Sequence, residues 1–264
     1  MGNSVRILFI GDIFGRPGRR ILKETLPHLV EEYSPDLVLA NGENAAAGFG
    51  ITPALVEELL ALGIAVLTSG NHIWDKKEIL PYLGDHADGR LLRPANYPGP
   101  SPGHGLYVGS TRSEMNYAVM NLQGRIFMPP IDCPFRTADK LLEQISREVK
   151  IRIVDMHAEA TSEKLALGWY LDGRVTAVVG THTHVPTADE RVLPEGTAYI
   201  TDLGMTGPYD SVIGVEKGAV IEKFLSQVPA RFDVAKGDVR LSAALIEADP
   251  ASGRAVSIQR ILRR

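Results

Sequence analysis

Val175-Thr176-Ala177-Val178-Val179 runs straight into Gly180-Thr181-His182-Thr183-His184. A short, unbroken apolar run rich in valine reads as a strand buried on both faces, the habit of parallel sheets. On an extended backbone residues two apart point to one side, so the spacing predicts that His182 and His184 face a common volume. The pattern recurs upstream. Val5-Arg6-Ile7-Leu8-Phe9-Ile10 leads into Gly11-Asp12, and Leu37-Val38-Leu39-Ala40 into Asn41-Gly42-Glu43-Asn44. Ile64-Ala65-Val66-Leu67 precedes Gly70-Asn71-His72, and Ile151-Arg152-Ile153-Val154 precedes Asp155 and then Met156-His157. Strands that repeatedly end in metal-type ligands predict many strand ends converging on one metal site.

Helical patterns separate the runs. Pro17 suits a first helical turn, and Ile21, Leu22, Leu26, Leu29 and Val30 follow at helical spacing. Thr52-Pro53 reads as an N-cap followed by proline at the first helical position, and Gly63 closes that helix. Further helices are expected over 75–83, 137–149, 161–171 and 214–225. Strand–helix–strand alternation implies right-handed parallel crossovers, with the ligand crevice at the carboxyl ends of one open sheet. Residues 106–111 and 117–122 read as antiparallel neighbours. The Pro- and Gly-rich stretch 91–105 reads as an ordered loop. Residues 198–201, 230–235, 239–248 and 255–262 read as strands pairing on the far side of a sandwich.

Composition narrows the class. With 264 residues, 44% hydrophobic and 23% charged, the chain can bury a sizeable core. A net charge of -4 gives no electrostatic drive toward nucleic acid or acidic membranes. No apolar run approaches the length of a membrane span, and no signal peptide is read at the N-terminus. The single Cys133 excludes an internal disulfide and a cysteine zinc cluster, and reads as a structural or surface thiol. A cytoplasmic setting is expected.

Each polar cluster alone has an ordinary explanation. Asp12 suits a helix N-cap, Asn41-Gly42 a turn, and His182 with His184 a surface pair. Together they offer nitrogen and oxygen donors without thiolate, a set that suits Mn, Fe, Zn or Co. The donors are too many for one four-coordinate ion. Two ions about 3.5–4 Å apart, bridged by a carboxylate, accommodate them.

These motifs resemble those of the calcineurin-like metallophosphoesterases, with three departures. Phe14 stands where that superfamily has its first histidine, Glu43 where it has a bridging aspartate, and Ile73 where an acid follows Gly70-Asn71-His72. The departures match a narrower bacterial group, the YmdB-like phosphodiesterases. Its marks here are Gly11-Asp12-Ile13, Asn41-Gly42-Glu43-Asn44-Ala45-Ala46, Gly70-Asn71-His72-Ile73-Trp74-Asp75 and Leu92-Arg93-Pro94-Ala95-Asn96-Tyr97. Asn121-Leu122-Gln123-Gly124-Arg125, the segment from His157 to Lys164 and Gly180-Thr181-His182-Thr183-His184-Val185 complete them.

The resemblance implies an α/β chain, a four-layer α/β/β/α sandwich of the metallophosphoesterase type, forming a single domain over 1–264. It implies a dimetal centre with Asp12, Glu43, Asn44 and His184 on one ion and Glu43, Asn71, His157 and His182 on the other. Asn44 takes the place that Phe14 cannot fill. His72 corresponds to the histidine beside the leaving group. The cofactors expected are two divalent or mixed-valence transition-metal ions, iron or manganese first, with zinc as a further candidate. The expected activity is hydrolysis of phosphodiesters such as 2',3'-cyclic nucleotides, with 3',5'-cyclic ones as further candidates, by water activated between the ions. The alternatives are a phosphomonoesterase or nucleotidase, and a regulatory nucleotide- or RNA-binding protein with weak catalysis. The expected partners are the small-molecule phosphodiester, RNA-processing proteins and further copies of the chain, but no membrane.

Several other groups are candidates beside bland readings. Arg125 could grip a phosphate oxygen, or be a surface arginine. Residues 204–210, with Tyr209, could rim the pocket or form a structural turn. Glu159 could orient His157 or sit solvated at a helix start. His28, His86 and His104 read as ordinary surface histidines.

Overall fold

A computed structural model of the chain describes residues 4–85 and 89–264. His86 lies outside the described residues. The first half contains β1 (Val5–Ile10), β2 (Asp12–Ile13), α1 (Gly15–Tyr33), β3 (Leu37–Asn41), α2 (Pro53–Ala61) and β4 (Val66–Thr68). A 3₁₀ turn at Asn71–Trp74 follows, then α3 (Ile79–Asp85), β5 (Leu106–Ser110), β6 (Asn116–Gln123) and α4 (Pro134–Gln144). The second half contains β7 (Ile151–His157), α5 (Thr161–Tyr170), β8 (Ala177–Thr181), β9 (Arg191–Val192) and β10 (Ala198–Ile200). It ends with β11 (Met205–Pro208), α6 (Lys217–Ser226), β12 (Val239–Ala248) and β13 (Ala255–Arg263).

Among the described residues these elements form a mixed α/β structure with two sheets and six α-helices. The first sheet runs β2-β11-β12-β1-β3-β4, with β13 paired to β12; the second runs β5-β6-β7-β8-β10-β9. The single open sheet expected from the alternation is therefore two. β1, β3 and β4 are parallel in the first, and β6, β7, β8 and β10 are parallel in the second. The C-terminal strands do not form a far sheet of their own. β12 lies antiparallel beside β1, with Val5 opposite Ala248 and Ile10 opposite Ala243, whereas β10 runs parallel to β8. Residues 230–235 are not a strand; Val234 makes only an isolated bridge to Val215.

Alternation along the strands explains the layering. Val5, Ile7 and Phe9 of β1 join Ile151 and Ile153 of β7 and Ala177 and Val179 of β8 in one apolar cluster between the sheets. The intervening Leu8 and Ile10 turn the other way and pack with Leu22, Leu26 and Leu29 of α1. Val154 and Met156 of β7 pack with Leu141 of α4 and Leu167 of α5 in a third cluster. Each fully buried Leu, Ile or Phe contributes about 1.5–3 kcal/mol. The shared inter-sheet layer thus locks two sets of strand ends into one register and offsets the cost of the polar groups buried at their tips.

Helix limits follow local chemistry. α2 starts where Thr52 Oγ1 accepts from the Leu55 N–H at 3.3 Å, with Pro53 next. α4 begins at Pro134, three residues before the expected start, because proline suits the first helical position. The helix expected over 75–83 starts later, at Ile79, after a 3₁₀ turn at Asn71–Trp74 and a bend through residues 75–78. α6 starts at Lys217 rather than 214. Among the described residues no helix is long and apolar enough to cross a membrane.

Candidate metal centre

Both sheets feed the site. Asp12 comes from β2, Glu43 and Asn44 from the turn after β3, and Asn71 and His72 from the 3₁₀ turn after β4. His157 ends β7, while His182 and His184 follow β8. Asp12, Glu43 and His157 are fully buried, and Asn44 nearly so. Gly70 allows the approach: a Cβ there would lie 2.1 Å from the His157 ring, so any larger residue would push the ring away from Asn71.

The side chains divide into two abutting groups. His157 Nε2 lies 3.1 Å from Glu43 Oε1, 3.1 Å from Asn71 Oδ1 and 3.0 Å from His182 Nδ1. Glu43, His157 and His182 bring their ligand atoms within 4.8 Å of one another. In the second group His184 Nε2 stands 3.1 Å from Asn44 Nδ2 and 3.7 Å from Asp12 Oδ1. Glu43 joins the two, because its Oε1 also accepts from Asn44 Nδ2 at 3.1 Å while Oε2 accepts from the His72 N–H at 3.1 Å.

His182 and His184 do not share a strand face as expected. β8 ends at Thr181, and both histidines take left-handed backbone, with φ of 98° and 66°. Two left-handed residues in so short a stretch send the rings to different groups, His182 to His157 and His184 to Asp12. Such strain in non-glycine residues persists only where surrounding contacts fix it.

Outer partners take the ring protons. The Thr181 hydroxyl donates to Asp155 Oδ1 at 2.7 Å, so it accepts from His157 Nδ1–H at 2.9 Å. His182 Nε2 lies 3.2 Å from the Glu159 carboxylate, and His184 Nδ1 lies 2.9 Å from the Ile213 carbonyl. Both partners can only accept. When the rings are neutral, as a bound metal requires, their inward nitrogens present lone pairs. His157 Nε2 then faces the Glu43 and Asn71 oxygens and His182 Nδ1, acceptors against acceptors. Without metal, burial acts to lower the His157 pKa, but Glu43 and the other buried carboxylates outweigh it and raise it. Asp12 Oδ1 and Asn44 Oδ1 are buried without a hydrogen-bond partner. Rotating the Asn44 amide by half a turn would point that oxygen inward. The residues present fit metal ions.

Charge balance shows the same crowding. Burial, opposed by His184 and His157, raises Asp12 from 3.8 to about 6. Burial also acts to raise Glu43, but His157 outweighs it and holds the carboxyl at about 2. Burial, then the neighbouring His157, pushes His182 down to about 3. A low-pKa imidazole is kept neutral and available as a ligand.

The sequence model of the YmdB-like protein family matches residues 8–261. The chain belongs to the YmdB-like family. It is 51% identical over 259 residues to the 2',3'-cyclic-nucleotide 2'-phosphodiesterase of Bacillus subtilis (strain 168), covering 98% of this chain and 97% of that one. A crystal structure described as a novel phosphatase from Mycoplasma pneumoniae superposes with a TM-score of 0.92 at 36% identity, covering 99% and 94% of the two chains. A hypothetical protein from Thermus thermophilus superposes with a TM-score of 0.90 at 43% identity, covering 98% of each.

Within this YmdB-like chain some expected groups fall elsewhere. Arg125 does not enter the cavity over the centre. Its backbone N–H donates to the Glu163 carboxylate at 3.1 and 3.0 Å, and the exposed residue lines a separate cleft with Phe135. Tyr209 does not line the cavity either; its hydroxyl donates to the Met205 carbonyl at 2.9 Å, and Arg240 stacks on its ring. Glu159 meets His182, not His157, because Thr181 already occupies His157 Nδ1. His28 and His104 are exposed.

Three supporting groups lie in or beside the motifs without a role assigned to them there. Asp155 is fully buried and accepts from Thr68, from Thr181 and from Asn41 Nδ2 at 3.2 Å, while Asn41 Oδ1 accepts from the Glu43 N–H at 3.1 Å. One carboxylate thus braces His157 and Glu43. Lys164, also fully buried, donates to the Thr181 carbonyl at 2.7 Å and to Asp202 at 2.6 Å, and Asp202 accepts from the Thr183 N–H at 3.1 Å. That pair holds the backbone between the two left-handed histidines. Asn121 Oδ1 accepts from the Ser69 N–H at 2.9 Å and ties the turn before Asn71 to the second sheet. For Asp155 the sequence signal was a charged residue inside an apolar run; for Asn121 and Lys164 it was membership of a family motif.

Proposed function

We propose that this chain is a metal-dependent phosphodiesterase acting on 2',3'-cyclic nucleotides, with two metal ions held by Asp12, Glu43, Asn44, Asn71, His157, His182 and His184. The activity rests on the Bacillus subtilis relative, which matches along nearly its whole length. The observation that carries the metal reading is the convergence of Glu43, His157 and His182, whose ligand atoms lie within 4.8 Å of one another, with the outer histidine nitrogens taken up by Thr181, Glu159 and Ile213. The three apolar clusters support reading residues 1–264 as one four-layer α/β/β/α sandwich of the metallophosphoesterase type. The lone Cys133 fits a reducing, cytoplasmic setting.

Bound ions would supply charge neutralisation at the phosphoryl oxygens and an activated water at neutral pH. The chain's own groups do the rest. Glu43 stands between the two groups of ligands and belongs to both. Asp12 and Asn44 add oxygen donors at the His184 end. His72 lines the cavity, and its Nδ1 lies 2.8 Å from Asp75 Oδ2. With Nδ1–H given to that carboxylate, the imidazolium form of His72 has its Nε2–H left to protonate the departing alkoxide, returning the ring to neutral. The proton reaches the oxygen as the P–O bond opens.

A diester brings one negative charge, whereas a monoester dianion binds such a centre tightly and resembles product. Opening the five-membered ring of a 2',3'-cyclic nucleotide also releases strain, so a single acid suffices. The monoesterase reading stays in the test because the Mycoplasma pneumoniae structure is described as a phosphatase. The test compares kcat/KM for 2',3'-cyclic AMP, 3',5'-cyclic AMP, bis(p-nitrophenyl) phosphate and p-nitrophenyl phosphate with Mn²⁺ supplied. The 2',3'-cyclic diester should lead. Faster cleavage of the monoester than of every diester would replace this reading with the nucleotidase one.

A further inference from the structure

The cavity above the centre holds about 650 Å³, a volume suited to a small-molecule ligand. One wall is the polar centre, with Glu43, Asn44, His72, His182 and His184. Another part of the lining has different chemistry. Val220, Lys223, Phe224 and Gln227 all line it. Their spacing is i, i+3, i+4 and i+7, so a single stripe along α6 and its C-terminal residue faces the ligands. Val215 and Phe232 extend the apolar surface.

The rings on this wall are not equivalent. Phe14 is buried, meets His184 edge-on with centroids 5.4 Å apart, and is wedged where a Cβ on Gly214 would lie 2.6 Å from its ring. It forms the floor and cannot stack on a ligand. Phe232 is covered by the Lys223 ammonium, 5.0 Å from its centroid. Phe49 packs edge-on against His72 at 5.1 Å. Phe224 is 73% exposed, although it lines the cavity. An exposed ring on a cavity wall, flanked by one ammonium and one carboxamide, matches a flat heteroaromatic ligand with polar edges.

We propose that this stripe of α6 is the nucleobase subsite of the enzyme, with Phe224 stacking on the base and Lys223 and Gln227 meeting its polar edge. The inference rests on the phosphodiesterase reading and adds to it the residues that select a nucleotide over other diesters. It also gives the replacement of a ligand histidine by Phe14 a second consequence: the cavity floor beside His184 becomes apolar and continuous with the base wall. An aromatic face accepts any base, so discrimination among bases would fall to Lys223 and Gln227.

The experiment uses the metal-loaded full chain with two substrates, 2',3'-cyclic AMP and 1-O-methylribose 2',3'-cyclic phosphate, which keeps the strained ring and lacks the base. In the wild type KM should be lower for the nucleotide. Phe224→Ala should raise the nucleotide KM roughly five- to hundredfold, the range that loss of one base stack produces, with kcat held within about twofold. The KM ratio between the two substrates should then fall toward one. Phe224→Trp should preserve that ratio. Equal shifts for both substrates, or an unchanged nucleotide KM in Phe224→Ala, would overturn the subsite. Turnover of the base-free diester by the wild type reports on the phosphodiesterase reading separately. Calorimetric binding of adenosine 5'-monophosphate against ribose 5-phosphate, compared between wild type and Phe224→Ala, decides the subsite even if neither diester is cleaved.

Discussion

Asp155 governs the tautomer of His157 without touching it. The carboxylate takes the Thr181 proton at 2.7 Å, which turns the Thr181 oxygen into an acceptor for His157 Nδ1–H at 2.9 Å. In the neutral ring the relay leaves His157 Nε2 as a lone pair aimed at Glu43 and Asn71. Thr181→Val keeps the side-chain shape and deletes the relay. Loss of a group that orients a ligand typically costs 10–100-fold in metal affinity. Manganese titration followed by equilibrium dialysis should show a drop of about that size, and Thr181→Ser should restore most of it. The stranded Asp155 oxygen should also cost about 1–3 kcal/mol of stability, read from denaturant midpoints.

The burial of Asp12 carries a pH signature in metal-free protein. Its carboxyl is raised from 3.8 to about 6, so the folded chain binds this proton more readily than the unfolded one. A raised acid contributes stability below the unfolded pKa that is lost as pH climbs through the folded one. Near pH 8 the buried carboxylate therefore destabilises the metal-free fold, by at most about 3 kcal/mol. Asp12→Asn should raise the melting temperature of chelated protein by several degrees at pH 8. The gain should shrink between about pH 6 and pH 4, because both chains are then neutral at this position. The same variant should bind less metal. An equal gain at pH 4 and pH 8 would show that the charge of Asp12 is not its cause.

His72 sits beside the proposed ligand Asn71 but turns its ring to Asp75 and Phe49. His72→Ala should keep its metal content and lose turnover by roughly 10²–10⁴-fold, the usual contribution of a placed general acid. The loss should be smaller for bis(p-nitrophenyl) phosphate, whose leaving group needs no proton. A variant that loses a metal and regains full rate when metal is added back would move His72 into the ligand set.

What the sequence made legible was local. Each candidate ligand followed an apolar run, so Asp12, Glu43, His157 and His184 could be picked out as candidates before any strand was paired. Which sheet each strand joined was not legible. β1 and β7 are buried on both faces, and a continuous apolar run carries no mark of its neighbours. The insertion of β12 beside β1 joins residues more than 230 positions apart, which no local pattern encodes. Residues 230–235 alternate like a strand, yet only Val234 finds a bridge, so periodicity without a partner edge misled. Proximity in sequence misplaced Glu159 beside His157, because the left-handed turn after β8 brings His182 across to it. The stripe on α6 was within reach as 220, 223, 224 and 227, but only the fold places that face over the centre.

Side chains from two sheets are expected to hold two ions in each chain, and turnover to depend on both. Elemental analysis of protein purified without chelator, carried out beside turnover of 2',3'-cyclic AMP, tests this most directly. The account predicts two transition-metal ions per chain, loss of activity on chelation and recovery when Mn²⁺ is restored. It also predicts that Glu43→Gln, which weakens the residue common to both groups, lowers the ratio below two and turnover with it. Full turnover at one ion per chain, or at none, would contradict the account.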